Sequence, residues 1–132
     1  MRAYISVSFS KRKSMDTEIT AIVHTLKKFG IESIVFVDQY LFHSDQEAQM
    51  MAQAMADIDS CNLLIAETSE KGIGIGIEVG YAKAKGKPII YMRKANAEHS
   101  TTVSGIADFR IIYTDAGDLE KQLAQTVNTL ST

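Results

Sequence analysis

Five short apolar runs recur along this chain, and helix-patterned segments separate them. The runs are residues 4–9, 34–37, 63–66, 89–92 and 110–113. They are rich in β-branched and aromatic side chains, which suit extended backbone. Leu63-Leu64-Ile65-Ala66 shows no polar/apolar alternation, which predicts a strand covered on both faces. From Asp16 to Phe29, Ile19, Ile22, Val23, Leu26 and Phe29 fall on one helical face, and Gly30 supplies a stop. Asp45 reads as the N-cap of a second helix that continues through Asp59 with Met50, Met51, Ala54, Met55 and Ile58 on a shared face. A third helix runs from about Ile77 to Lys85 and breaks at Gly86-Lys87-Pro88, while Leu119, Leu123, Val127 and Leu130 mark a closing one. Ser10–Ser14, Asp38–Ser44 and residues 93–105 read as turn or loop.

Strict alternation of strand and helix calls for a parallel sheet with helices on both faces. The expected fold is therefore a single-domain α/β, Rossmann/flavodoxin-like doubly wound sheet over residues 1–132, with five strands in the order 2-1-3-4-5. Ligands of such sheets bind beyond the carboxyl ends of the strands, where the strand order reverses. Here that rule selects the loops after strands one, three and four.

Charge narrows the function. A formal net charge of −2 argues against a nucleic-acid or membrane-surface protein, and Lys11-Arg12-Lys13 is too short a basic cluster to change that. The single cysteine, Cys61, permits no intrachain disulfide and suits a reducing compartment. Residues 4–9 alternate instead of forming the unbroken apolar run of a secretory signal, and no stretch is long enough to span a bilayer. The expectation is a cytoplasmic, soluble protein.

The densest chemical signal is the stretch Glu67–Ala82, with Gly72, Gly74 and Gly76 alternating ahead of Glu78. Glycines there would let the backbone approach a ligand, and a glutamate in the first turn of the next helix would be held ionised by the macrodipole. Such a carboxylate can serve as nucleophile or general base; one that merely caps its helix accounts for the spacing equally well. The glycines do not match GxGxxG, and there is no GKS/T loop. A second candidate is the turn Ser8-Phe9-Ser10-Lys11-Arg12, whose hydroxyls and cations suit a phosphate, against the commoner alternative of a solvated basic turn. Tyr4 could reach the same cleft or be an ordinary half-buried strand tyrosine. His24, His43 and His99 share no metal spacing with each other or with Cys61, which reads as a buried inert thiol, and no Gly-x-Ser-x-Gly elbow exists. No cofactor is implied. Met50, Met51 and Met55 with Ala52, Ala54 and Ala56 make the second helix apolar over more than one face, which suggests packing across a homodimer interface.

These residues resemble the nucleoside 2-deoxyribosyltransferase superfamily, and particularly its 2'-deoxynucleoside 5'-phosphate N-hydrolase branch. The likeness is best over NLLIAETSEKGIGIGIEVGYAKAKGKPIIYM (Asn62–Met92), with AYISVSFSKRK and LKKFG similar as well. The resemblance implies a nucleoside or nucleoside monophosphate as substrate. It also implies that Glu78 attacks the anomeric carbon and expels the base, after which water or a second base resolves the glycosyl-enzyme. By the same resemblance, Tyr4 orients Glu78, the Ser8–Arg12 turn borders the 5'-phosphate, and Ser100 adds phosphate contacts from the neighbouring subunit of a dimer.

Two positions depart from the family pattern. Ala54 stands where the family has an aspartate that helps protonate the leaving base; Asp57, one turn further along, reads either as a substitute or, the slightly favoured alternative, as a surface residue. Gly72 stands where the family has a phosphate-binding serine. These departures keep open a non-catalytic nucleotide-binding module. YISVSFS also resembles the first strand of TIR domains, some of which cleave NAD, although the glycine stretch fits that group poorly.

Overall fold

In the computed structural model, which describes residues 1–131, five parallel strands form one sheet in the order β2-β1-β3-β4-β5. The strands are β1 (Arg2–Val7), β2 (Glu32–Val35), β3 (Leu63–Glu67), β4 (Ile89–Lys94) and β5 (Phe109–Tyr113). The helices are α1 (Asp16–Lys28), α2 (Phe36–Gln39), α3 (Glu47–Ser60), α4 (Ile73–Ala84), α5 (Thr101–Ile106) and α6 (Ala116–Ser131). This is the doubly wound α/β fold and strand order that the sequence predicts. Among the described residues, no helix is long and apolar enough to cross a membrane.

The period-two alternation of the strands sorts the core into two layers. Ala3, Ile5, Val7, Leu63, Ile65, Ile90 and Met92 pack with Ile22 and Leu26 of α1 and with Leu119 and Leu123 of α6. Tyr4, Leu64, Ala66, Ile89 and Tyr91 face the other way, onto Ala54 and Ile58 of α3 and Ile75, Val79 and Ala82 of α4. Every residue of β3 is buried, as its unbroken apolar run requires. Each fully buried aliphatic side chain contributes roughly 1.5–3 kcal/mol relative to exposure, so the sheet and its two helix layers anchor everything described below.

Several element boundaries differ from the sequence reading. β1 ends at Val7, and the expected turn over residues 10–14 is a 3-10 helix, Phe9–Met15. β2 stops at Val35 because Phe36 turns into α2, where its ring buries against Tyr4. Gln46, not Asp45, occupies the N-cap position of α3. Residues 93–105 are not simply loop: β4 continues to Lys94 and α5 follows.

The largest correction concerns the glycines. α4 begins at Ile73 with Gly72 as its N-cap, so Gly74 and Gly76 are helical residues and Glu78 lies in the second turn. The macrodipole acts chiefly on the first turn, so it does not account for the state of Glu78. Gly72 has an extended φ of −161°, and among the described residues positive φ occurs only at Gly30 and Gly86, which close α1 and α4.

Candidate active site

The site forms at the carboxyl end of β1, where β2 leaves on one side and β3 on the other. Tyr4 and Ser6 project from the β1 face that packs under α4. On α4, Ile75, Val79 and Ala82 are buried against that face, and Glu78 falls three residues after Ile75, on the flank that borders the sheet. Its two carboxylate oxygens each receive one hydroxyl. Tyr4 donates to Oε2, and Ser6 Oγ donates to Oε1 at 2.6 Å.

Burial decides the electrostatics of this trio. Tyr4 and Ser6 are 0% and 1% exposed, and a buried hydroxyl without a partner would be costly. Burial pushes the Glu78 carboxyl above its ordinary range, while the bonds from Ser6 and Tyr4 pull in the opposite direction. Burial, and then the charge of Glu78, hold the Tyr4 phenol far above its usual range, so it acts as a neutral donor. Among the described residues no cation forms an ion pair with Glu78. A carboxylate held by neutral donors alone keeps its charge available to an electron-poor carbon or a proton.

A cavity of about 540 Å³ opens beside Glu78. Its walls come from the segments after β1, β2 and β3 together with α3, not from the loop after β4 that the topology rule also selected. Ser8 and Ser10, whose hydroxyls lie 3.3 Å apart, line the cavity beside Gly72 at the start of α4, a helix with no side-chain cap. Most of the remaining lining is apolar, with Phe36, Phe42, Met50, Met51 and Ala54 contributed by α2, α3 and the segment between them, and Phe9, Ile73 and Ile75 by the elements that carry the serines and Gly72. Phe36, Tyr40 and Phe42 form an aromatic cluster with centroid separations of 5.1, 6.1 and 5.6 Å.

The structure thus brings Glu78, Tyr4, Ser8, Ser10, Gly72 and Gly74 to one place, with Tyr4 beneath Glu78 and the others lining the cavity. Gly76 is exposed on α4 and does not line it. Neither Lys11 nor Arg12 does so either. The Arg12 guanidinium is drawn aside by Asp16 at 2.6 Å and Asp38 at 2.7 Å. Asp57 is absent from this cavity as well: its carboxylate accepts bonds from Tyr40 and Gln53, each at 2.9 Å, and it lines a separate hollow along β2. Ser100 is the N-cap of α5 and accepts from Val103 N–H, outside the cavity of its own chain. Cys61 is buried at the end of α3, and burial pushes its thiol up.

Sequence reasoning missed Ser6, the aromatic cluster, and His43 and Glu47 at the cavity rim. Ser6 was detectable, because it is two residues from Tyr4 in a strand and so must share its face. The others depend on how residues 36–44 fold back over α3, which no local pattern encodes. Among the described residues, no group of three or more His, Cys, Asp or Glu side chains is arranged to hold a metal ion.

Comparison with known proteins agrees with this architecture. No curated protein matches the sequence significantly. Among solved structures, a CMP N-glycosidase from Clostridium botulinum is 23% identical with a TM-score of 0.65, over 95% of this chain and 99% of that one. A conserved protein from Enterococcus faecalis V583 is 13% identical with a TM-score of 0.72, over 96% and 98%. A 2-deoxyribosyltransferase from Bacillus psychrosaccharolyticus is 12% identical with a TM-score of 0.71, over 91% and 90%. At these identities the likeness establishes a shared fold. The family model described as nucleoside 2-deoxyribosyltransferase matches residues 4–125, nearly the whole sequence, and by that match the chain belongs to the nucleoside 2-deoxyribosyltransferase family.

Proposed function

We propose that the protein cleaves the base–sugar bond of a nucleoside or nucleoside 5'-monophosphate, as an N-glycosidase of the 2'-deoxynucleoside 5'-phosphate N-hydrolase type, with Glu78 as nucleophile. The observation that carries this reading is the Glu78 carboxylate, held by two hydroxyls and no cation beside an open cavity. An anomeric carbon developing oxocarbenium character is the kind of centre such a carboxylate stabilises and then traps. Tyr4 orients it by fixing Oε2. The part of the cavity lined by Ser8, Ser10 and the start of α4 suits a 5'-phosphate, because a helix start offers free N–H groups to an anion. The aromatic cluster of Phe36, Tyr40 and Phe42 then receives the base by stacking. Water resolves the glycosyl-enzyme in hydrolysis, and a second base does so in transfer.

Incubation with a panel of deoxynucleosides, ribonucleosides and their monophosphates, with free base measured by chromatography, tests the proposal. Base release that is lost in Glu78→Gln supports it. No release from any substrate, or release undiminished in Glu78→Gln, overturns it. The same reading includes a homodimer. Phe9, Leu41 and Ile73 are 76%, 87% and 87% exposed at the rim of the cavity, a dense apolar border for a monomer. Light scattering that returned the 14.5 kDa mass of one chain at micromolar concentration would remove the dimer from the proposal.

A second reading, nucleotide binding without turnover, rests on Ala54. This residue lines the cavity with a methyl group where a proton donor would assist departure of the base. Thermal stabilisation by nucleotides without product, equal in wild type and Glu78→Ala, would favour it.

A further inference from the structure

The reaction proposed above needs a proton as well as a nucleophile. When the C1'–N bond breaks, its electron pair leaves with the base, and a base expelled as an anion is a poor leaving group. Five titratable side chains line the cavity: Tyr40, His43, Glu47, Lys71 and Glu78. Glu78 is committed as the nucleophile, and Tyr4 beneath it is held too far above neutral pH to release a proton. Tyr40 donates its hydroxyl to Asp57 at 2.9 Å, and burial raises its phenol, so it too holds its proton. Lys71 Nζ is paired with Glu98 at 2.8 Å. His43 and Glu47 remain, and no side-chain ion pair occupies either of them among the described residues.

We infer that His43 is the proton donor to the departing base, which deepens and rests on the N-glycosidase reading of the same cavity. His43 belongs to the segment that also carries Phe42 and Ser44, directly after a residue of the aromatic cluster, and it lines the same cavity as Ala54. Imidazole is the side-chain type that both holds and gives up a proton near neutral pH, which general acid catalysis requires. Glu47 follows in the first turn of α3 and lines the same cavity.

The electron and proton balance closes without a further reactant. Glu78 carboxylate forms a bond to C1' as the C1'–N bond breaks, and the His43 imidazolium proton passes to the base. The neutral imidazole then takes a proton from the water that attacks C1', which releases the sugar and returns Glu78 to its carboxylate. His43 is thereby recharged for the next cycle. In transfer, the incoming base supplies that proton instead.

The test compares two classes of leaving group in wild type, His43→Gln and Glu78→Gln. One class is the best nucleoside or nucleotide substrate, and the other is a nitrophenyl 2-deoxyriboside or its 5'-phosphate, whose phenolate departs without protonation. The expected result is a loss of about 10²–10⁴ in kcat/KM for His43→Gln on the nucleobase substrate. On the nitrophenyl substrate the same variant should change kcat/KM by less than about threefold, because that parameter ends at departure of the phenolate, and on the nucleobase substrate it should lose the basic limb of the pH profile. Equal losses on both substrates, or none on the nucleobase substrate, overturn the assignment while leaving the glycosidase reading intact. Inactivity of the wild type on both substrates overturns that reading and the assignment with it. Circular dichroism of His43→Gln, at an exposed position, verifies that the fold is retained.

Discussion

Removal of one oxygen atom, in Ser6→Ala, tests the electrostatic account of the Glu78 site directly. Ser6 Oγ donates to Glu78 Oε1 at 2.6 Å from a position 1% exposed, so the bond is short, charge-assisted and largely shielded from water. Hydrogen bonds to charged groups contribute about 1.5–3 kcal/mol. At about 1.36 kcal/mol per pKa unit, losing this one should raise the Glu78 pKa by about one to two units. The sign follows because the lost bond stabilised only the ionised form, so protonation becomes easier and the titration moves to higher pH. Water entering from the cavity can replace part of the bond, which favours the lower end of the range. A pH titration of the carboxyl carbon by NMR, with isotope-labelled glutamate and Glu78→Gln for assignment, reads the shift without any substrate. In kinetics, the acid limb of kcat/KM should move up by the same amount and the rate should recover on the alkaline side. Ser6→Thr, which keeps a hydroxyl on the same atom, should restore most of the wild-type profile. An unchanged or lowered pKa, or a loss of rate equal at every pH, would refute the claim that Ser6 tunes the ionisation of Glu78.

Glu78→Gln should abolish turnover yet raise thermal stability at pH 8. Glu78 has a folded-state pKa above its unfolded value, so the folded state binds the extra proton and stability falls as pH rises through that folded pKa. The gain in melting temperature should therefore shrink towards zero as pH is lowered below the ordinary carboxyl range, and a pH-independent gain would contradict this. Gly80→Ala should stabilise the fold by about 0.5–1 kcal/mol, measured by urea denaturation, because Gly80 is an exposed interior residue of α4 and an added Cβ would meet nothing within 4 Å. Leu64→Ala should cost about 2–5 kcal/mol in the same assay, since this side chain is fully buried at the centre of the sheet.

The glycines and the basic turn show how a local pattern can mislead about a site. Gly72, Gly74 and Gly76 looked like a flexible loop that aims a carboxylate, but Ile75, Val79 and Ala82 are apolar at helical spacing and extend α4 back through them. The packing energy of those side chains against the sheet outweighs a helix cost of about 1 kcal/mol per glycine. Arg12 looked like a phosphate ligand from its place after β1, but Asp16 one turn away and Asp38 across β2 neutralise it first. Asp57 shared a helix face with the cavity only approximately, and Tyr40 and Gln53 draw its carboxylate into another hollow.

The residue order alone determined the parallel sheet and its strand order. Those features follow from short-range periodicity and from connection rules that hold wherever strands and helices alternate. Tertiary structure decided the rest: the pairing of Ser6 and Tyr4 with the two oxygens of Glu78, the removal of Arg12 and Asp57 from the cavity, and the arrival of His43 at its rim. Each of these depends on side chains separated by tens of residues, and their competition for partners is resolved only when the core has packed.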